Sequence, residues 1–150
     1  MVKRVAASQL ERRENPGSLR GAEARYRASE YLEAQALLRM YERSLNALSA
    51  PRADARWCEC FYLRAQIAQV QGNHRDAIAF AQKAADSAAR WDLQPLLAAA
   101  KLELAKGSAL GGDHVKAMAL FHEAQTIYQT LGDEAGVAQC HLGIAELRYR

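Results

Sequence analysis

Gln71-Gly72-Asn73-His74-Arg75-Asp76-Ala77-Ile78-Ala79-Phe80-Ala81-Gln82-Lys83-Ala84 has a second copy in the chain. The copy is Gly111-Gly112-Asp113-His114-Val115-Lys116-Ala117-Met118-Ala119-Leu120-Phe121-His122-Glu123-Ala124. Gly72 and Gly112 stand 40 residues apart, and the glycine, the histidine and the alanines of the two copies fall in register. A fixed period of roughly 20–50 residues marks a chain built by stacking one supersecondary unit on the next. Each copy reads as a turn followed by a helix. Glycine suits the left-handed residue that ends a helix, and Asn73 or Asp113 can cap the next one through a side-chain oxygen. The apolar stripes Ala77, Ala81, Ala84, Ala88, Trp91 and Ala117, Phe121, Ala124, Tyr128, Leu131 step by four and three, which keeps one helical face buried. Alanine at the matching Ala77/Ala117 and Ala84/Ala124 positions predicts close approach of neighbouring backbones.

Working outward, the same period aligns Cys58/Ala98/Ala138, Tyr62/Leu102/Leu142 and Ala65/Ala105/Ala145. Helical pairs are expected at about 53–91 and 95–131, with a final unpaired helix at 134–150. Pro95 suits the first turn of its helix, where its missing N–H is not needed. Upstream, a helical pattern runs from about Arg20 to Leu48. Ser49-Ala50-Pro51 ends it, because proline cannot continue a helix. Pro16-Gly17-Ser18 separates a basic segment, residues 1–19, expected as a short helix or partly disordered. The repeat domain is then 20–150. In the last helix Ala138, Leu142 and Ala145 are expected to bury against the preceding pair. Val137, Ile144 and Leu147 would be left on a flank to be covered by a following helix, a partner or a second copy of the chain. Self-association through this helix is therefore one expectation.

Half of the residues are apolar, chiefly alanine and leucine, while Val and Ile are scarce, which disfavours sheets and makes all-α the simplest fold class. The 150 residues suit one domain. Three sparse cysteines, Cys58, Cys60 and Cys140, point to reduced thiols and a cytoplasmic location. The start of the chain lacks the apolar core of a signal peptide, and no stretch approaches the length of a membrane span.

The second halves of the units resemble the tetratricopeptide (TPR) repeat, which reads roughly G-D/N-x-x-x-A-I/L-x-x-F/Y-x-x-A. The match lies at Gly72, Asn73, Ala77, Ile78, Phe80 and Ala84, and again at Gly112, Asp113, Ala117, Met118 and Ala124. The common period of that family is 34 residues rather than 40, which implies longer helices. The Trp and Leu-Gly of its first half are missing here apart from Leu142-Gly143. The longer spacing resembles the TPR arrays of bacterial regulators and cell-polarity adaptors. The resemblance spans about Ala53 to Arg150 and implies antiparallel helical hairpins stacked as a right-handed solenoid. It also implies that first-half helices line a concave groove. That assigns partner-binding positions to Glu59, Leu63, Gln66 and Val70, to Ala99, Glu103, Lys106 and Leu110, and to Gln139 and Glu146. Mixed polar and aliphatic residues there suit a peptide or helix laid in a groove. The Lys/Asn/Arg carboxylate clamp known in the family is not visible, so capture of chaperone tails is not implied.

Little else in the chain carries chemistry. His74 and His114 are equivalent turn positions. Cys58 and Cys60 diverge by about 200° around a helix and Cys140 and His141 by about 100°, so neither pair chelates one metal, and no zinc spacing is met. A nucleophilic Cys–His pair could arise only through the tertiary fold. Gly107-Ser108-Ala109-Leu110-Gly111-Gly112 lacks the Lys-Ser/Thr of a phosphate loop. Residues 1–27 hold seven basic and three acidic side chains. This could be a nucleic-acid arm, but the interleaved acids favour a solvated face. The reading is a protein-binding scaffold or adaptor with no cofactor, no metal and no catalytic residue. Two other readings stay open. One is a sensor segment of a larger ATP-dependent bacterial transcription activator, and the other is an enzyme on a helical scaffold.

Overall fold

The computed structural model describes residues 19–47 and 55–149. The basic segment lies, but for Leu19, outside the described residues. Among these there are seven α-helices and no strand: α1 (Arg20–Arg27), α2 (Tyr31–Ala47), α3 (Ala55–Val70), α4 (His74–Arg90), α5 (Gln94–Leu110), α6 (His114–Leu131) and α7 (Glu134–Arg148). None of the described helices is long and apolar enough to cross a membrane. The chain divides into two compact units at Arg52/Ala53. The first holds α1 and α2, packed on each other, and the second holds α3 to α7.

In the first unit, the long helical pattern expected from Arg20 to Leu48 is broken. Ser29 adopts a left-handed φ of 63°, and the Glu30 amide donates to the Arg25 carbonyl at 2.8 Å. No glycine announces this turn, so periodicity alone runs through it. An Arg25–Glu30 ion pair at 2.7 Å spans the break. The stripe Ala34, Leu38, Tyr41, Leu45 is buried as the spacing requires.

In the second unit one kind of turn recurs. Gly72, Gly112 and Gly132 have φ of 78°, 87° and 72°. In each case the following amide reaches back five residues: Asn73 to the Ala68 carbonyl (2.8 Å), Asp113 to Ser108 (2.9 Å) and Asp133 to Tyr128 (2.9 Å). These bonds satisfy carbonyls that the helix end would leave orphaned. The αL backbone, not crowding, is what calls for glycine at Gly72, since an added Cβ would meet nothing within 4 Å. Asp92 closes α4 in the same way at φ 53°, with Leu93 donating to Ala88 at 2.8 Å. Aspartate is one of the few residues that tolerate this region. Side-chain caps then start the next helices: Asp113 Oδ1 accepts from the Lys116 amide at 3.1 Å and Asp133 Oδ1 from the Gly136 amide at 3.0 Å.

Each helix of the second unit packs chiefly on the next, with lesser contacts between α3 and α5 and between α5 and α7. Many of the contacts are made by small residues. Ala77, Ala81, Ala84 and Ala88 on α4 and Ala117 and Ala124 on α6 are buried. The last member of each expected stripe is not: Trp91 is 48% exposed and Leu131 42%, because the helix ends there. Lys101 Nζ on α5 pairs with Glu123 Oε2 on α6 at 2.7 Å.

α5 shows two working faces. Ala98, Leu102 and Ala105 join Ala117, Phe121 and Ala124 of α6 in one core. Ala100 and Leu104 pack with Ala81, Ala84 and Ala85 of α4. In α7 the equivalents of Ala100 and Leu104 are Cys140 and Ile144, and these are the residues buried against α6, with Val137 and Leu147 partly buried beside them. The expectation for this helix is thus overturned. Ile144, Val137 and Leu147 are packed within the chain and form no uncovered flank. Ala138 and Leu142 are exposed instead, Leu142 at 62%. The alignment of columns identifies equivalent positions but does not say which face meets the preceding helix.

Two glycines let α7 approach α6. A Cβ on Gly143 would lie 2.3 Å from the Phe121 ring, and one on Gly136 would lie 2.3 Å from the Tyr128 ring. Overpacking a tight contact costs about 1–3 kcal/mol. Gly143→Ala, Ala84→Leu and Ala124→Leu should each lower the melting temperature by several degrees. Ala79→Leu, at an exposed position, should leave it within about a degree of the parent. Thermal melts followed by circular dichroism check this, and equal melting for all four variants would refute the assigned contacts.

Candidate functional site

A cavity of about 300 Å³ opens where α3, α5 and α7 present their side chains. Gln69 contributes from α3, Lys106, Ala109 and Leu110 from α5, and Gln139, Leu142, Gly143, Glu146 and Leu147 from α7. α6 supplies only Phe121. That ring is buried, and the missing side chain at Gly143 is what gives it room. The floor is therefore apolar. Charge stands at its edge, Lys106 on one side and Glu146 on the other, both exposed. Lys106 Nζ lies 3.5 Å from Glu103 Oε1, one turn earlier on the same helix. The Gln69 Oε1 atom is enclosed without a hydrogen-bond partner.

Four of the positions assigned from the sequence, Lys106, Leu110, Gln139 and Glu146, are brought together here. The others are not in the cavity wall. Glu59 and Val70 are exposed on α3, and Gln66, Ala99 and Glu103 are partly buried. Leu63 is 2% exposed and belongs to the core, so it presents nothing to a groove. Missed by the sequence reading were Gln69, Ala109, Phe121, Leu142, Gly143 and Leu147. Phe121 belongs to the buried stripe that the spacing predicts, and it is 2% exposed. Its edge becomes a floor only because glycine faces it. Leu142-Gly143 was visible as a dipeptide typical of the repeat family, and that was the available signal. A second depression, about 360 Å³, lies among α4, α5 and α6, where Asp86, Lys101, Lys116 and Glu123 stand beside apolar residues such as Leu97, Leu104 and Leu120.

The reactive groups do not converge. Cys58, Cys60 and Cys140 are buried free thiols. Cys58 Sγ donates to the Ala84 carbonyl at 3.2 Å, and burial pushes its pKa from an ordinary 9.0 up to about 11. Burial also raises Cys140. The adjacent His141 is exposed, and its Nε2 accepts a hydrogen bond from Gln125 Nε2 of α6 at 3.1 Å. The His74 Nδ1 atom is enclosed without a partner, so this turn histidine is less solvated than His114, which is exposed. Among the described residues no three His, Cys, Asp or Glu side chains gather as a metal site would need. Compared with known proteins, the chain matches no protein-family model and no curated relative.

The thiol environments give a direct check. In native protein at neutral pH all three cysteines should react with a disulfide reagent at least about a hundredfold slower than in denaturant, since the neutral, buried thiol is not the nucleophile. The pH dependence has a defined sign. A thiol raised in the folded state favours folding below its ordinary pKa of 9.0, and that contribution is lost as pH climbs toward about 11. Tyr128, pushed by burial from 10.0 up to about 12, acts in the same direction. Melting temperature should therefore fall from pH 9 upward. A flat profile across that window, or fast native thiol labelling, would contradict the burial described.

Proposed function

We propose that the chain is a protein-binding module of the TPR-like kind, whose hairpins stack as a right-handed solenoid and hold a peptide or a helix in a concave groove. The observation that carries this is the cavity floored by Phe121 and walled by α3, α5 and α7. Nine of its ten lining residues come from these three alternate helices, the set that the repeat resemblance assigns to a groove. Support for the stacking comes from turns of one type at Gly72, Asp92, Gly112 and Gly132. It comes also from the equivalent burial of Ala100/Cys140 and Leu104/Ile144 one period apart.

An apolar floor between one cation and one anion suits a short amphipathic segment. An aliphatic or aromatic side chain would enter over Phe121, and its flanking polar groups would meet Lys106 and Glu146. Polar lining sets orientation in such grooves, while the buried apolar anchor gives most of the affinity. No reaction is proposed. A role as a scaffold or adaptor follows from this reading, as does a place within a larger regulator, and the same groove would serve both.

Lys106→Glu and Glu146→Lys, on opposite sides of the cavity, test it. With a partner recovered by affinity capture and confirmed with purified components, each reversal should weaken binding about tenfold or more, as loss of a charge-assisted contact does. The helical circular dichroism should not change. Unaltered affinity in both variants would remove the groove from consideration.

A further inference from the structure

The cavity between α5 and α7 carries its two charges in one register. Lys106 and Glu146 stand one period apart, and both line the cavity. They therefore lie side by side on alternate helices, not one above the other on a single helix. Neither is firmly paired within the chain. Among the described residues Glu146 has no ion-pair partner. Lys106 reaches Glu103 at 3.5 Å, one turn earlier on its own helix, and a solvated pair of that kind is weak. Both charged groups are thus open to a ligand that lies across the two helices.

The gap between the helices sets the shape of what can lie there. α5 and α7 bring Cα atoms within 8 Å of one another, whereas a helix with its side chains is about 10–12 Å across. A segment that touches Lys106, the Phe121 ring and Glu146 together must cross both helices, and the space admits it in extended form. In an extended segment residues i, i+2 and i+4 point to one side, and each step of two residues covers about 7 Å. Acid, anchor and base at those positions put one charge on either side of an apolar group. Neighbouring helices are spaced by about 8–10 Å, and the flexible stems of lysine and glutamate take up the difference.

We infer that the cavity selects an extended protein segment of the pattern acid-x-apolar-x-base. The acid meets Lys106, the apolar side chain covers the Phe121 ring, and the base meets Glu146. The cavity, about 300 Å³, has room for one large anchor such as leucine or phenylalanine, and the two x residues turn to solvent. Gly143 leaves that room, since its missing side chain uncovers the ring. Either chain direction satisfies both charges, so the site selects the composition of the pattern and not its order. A like-charged pattern sets one rim charge against its own sign, which is what excludes it. This specificity rests on the groove reading and adds to it the sequence that the groove takes.

The probes are end-capped peptides of sequence Gly-Glu-Ser-Phe-Ser-Lys-Gly, one with Lys at both charged positions, and one with Glu at both. Each is titrated into the isotope-labelled full chain at low salt, where charge is least screened, and the Gly143 amide is followed by NMR. The Glu/Lys peptide should shift that amide saturably and bind about fivefold or more tighter than either like-charged peptide. In the Glu146→Lys protein the Glu/Glu peptide should become the tightest of the three, and in Lys106→Glu the Lys/Lys peptide, with the helical signal unchanged in both. Glycine in place of the phenylalanine should abolish binding. Saturable shifts at Gly143 with one unchanged ranking in all three proteins would overturn the inference and leave the groove reading standing. Equal binding by a peptide whose base is moved from i+4 to i+3 would do the same. No shift of Gly143 by any peptide at ~10 mM would overturn both.

Discussion

How closely helix backbones approach one another governs the second unit. Alanine recurs at the contacts, and glycine appears where an aromatic ring must lie against the backbone, as Phe121 does against Gly143. Small residues leave little side-chain volume to adjust, so each contact tolerates little added bulk. Dispersion between closely spaced atoms is weak per pair and large in sum, and an alanine-rich seam depends on that sum more than on the burial of any one large side chain. The turns serve the same constraint. A left-handed residue with two returning hydrogen bonds sends the chain back at a fixed angle, so that Ala105 meets the helix that bears Phe121 and Cys140 meets the same core from the other side.

From this spacing follows the division of labour along a helix such as α5. One face addresses the helix before it and another the helix after it, while a third is left for solvent and for the cavity. Lys106 and Leu110 lie on that third face. The cavity thus needs no special element. It is the remainder of a packing scheme, given an apolar floor where Gly143 uncovers the Phe121 ring.

Much of this was legible in the sequence, and the limits are physical. The glycine turns at 72, 112 and 132 could be read because few residues other than glycine adopt left-handed φ without strain. Ser29 and Asp92 make the same turn without glycine, and the break at Ser29 was accordingly missed. Helix limits from 74 to 131 were close, since stripe and caps agree there. The face of α7 was read the wrong way round. Ala138, Leu142 and Ala145 are equivalent to buried residues of α5, yet what buries those residues is the following helix. A period gives equivalence of position and not the neighbour that occupies it. For the cavity, Lys106, Gln139 and Glu146 were assigned only through the resemblance to the repeat family. Leu63 could not be assigned correctly, because an aliphatic residue at a face boundary turns inward or outward according to the helix beside it.

The central claim is that, among the described residues, neighbours on two faces hold α5, whereas α7 packs chiefly on α6. Native-state hydrogen exchange of the full chain, resolved by residue, measures this. Amides from Leu102 to Ala105 should exchange only through global unfolding, with the full denaturant dependence. Amides from Leu142 to Ala145 should exchange through a smaller local opening, at least tenfold faster and with a shallower dependence. Equal protection of the two segments, with one shared denaturant slope, would contradict the account.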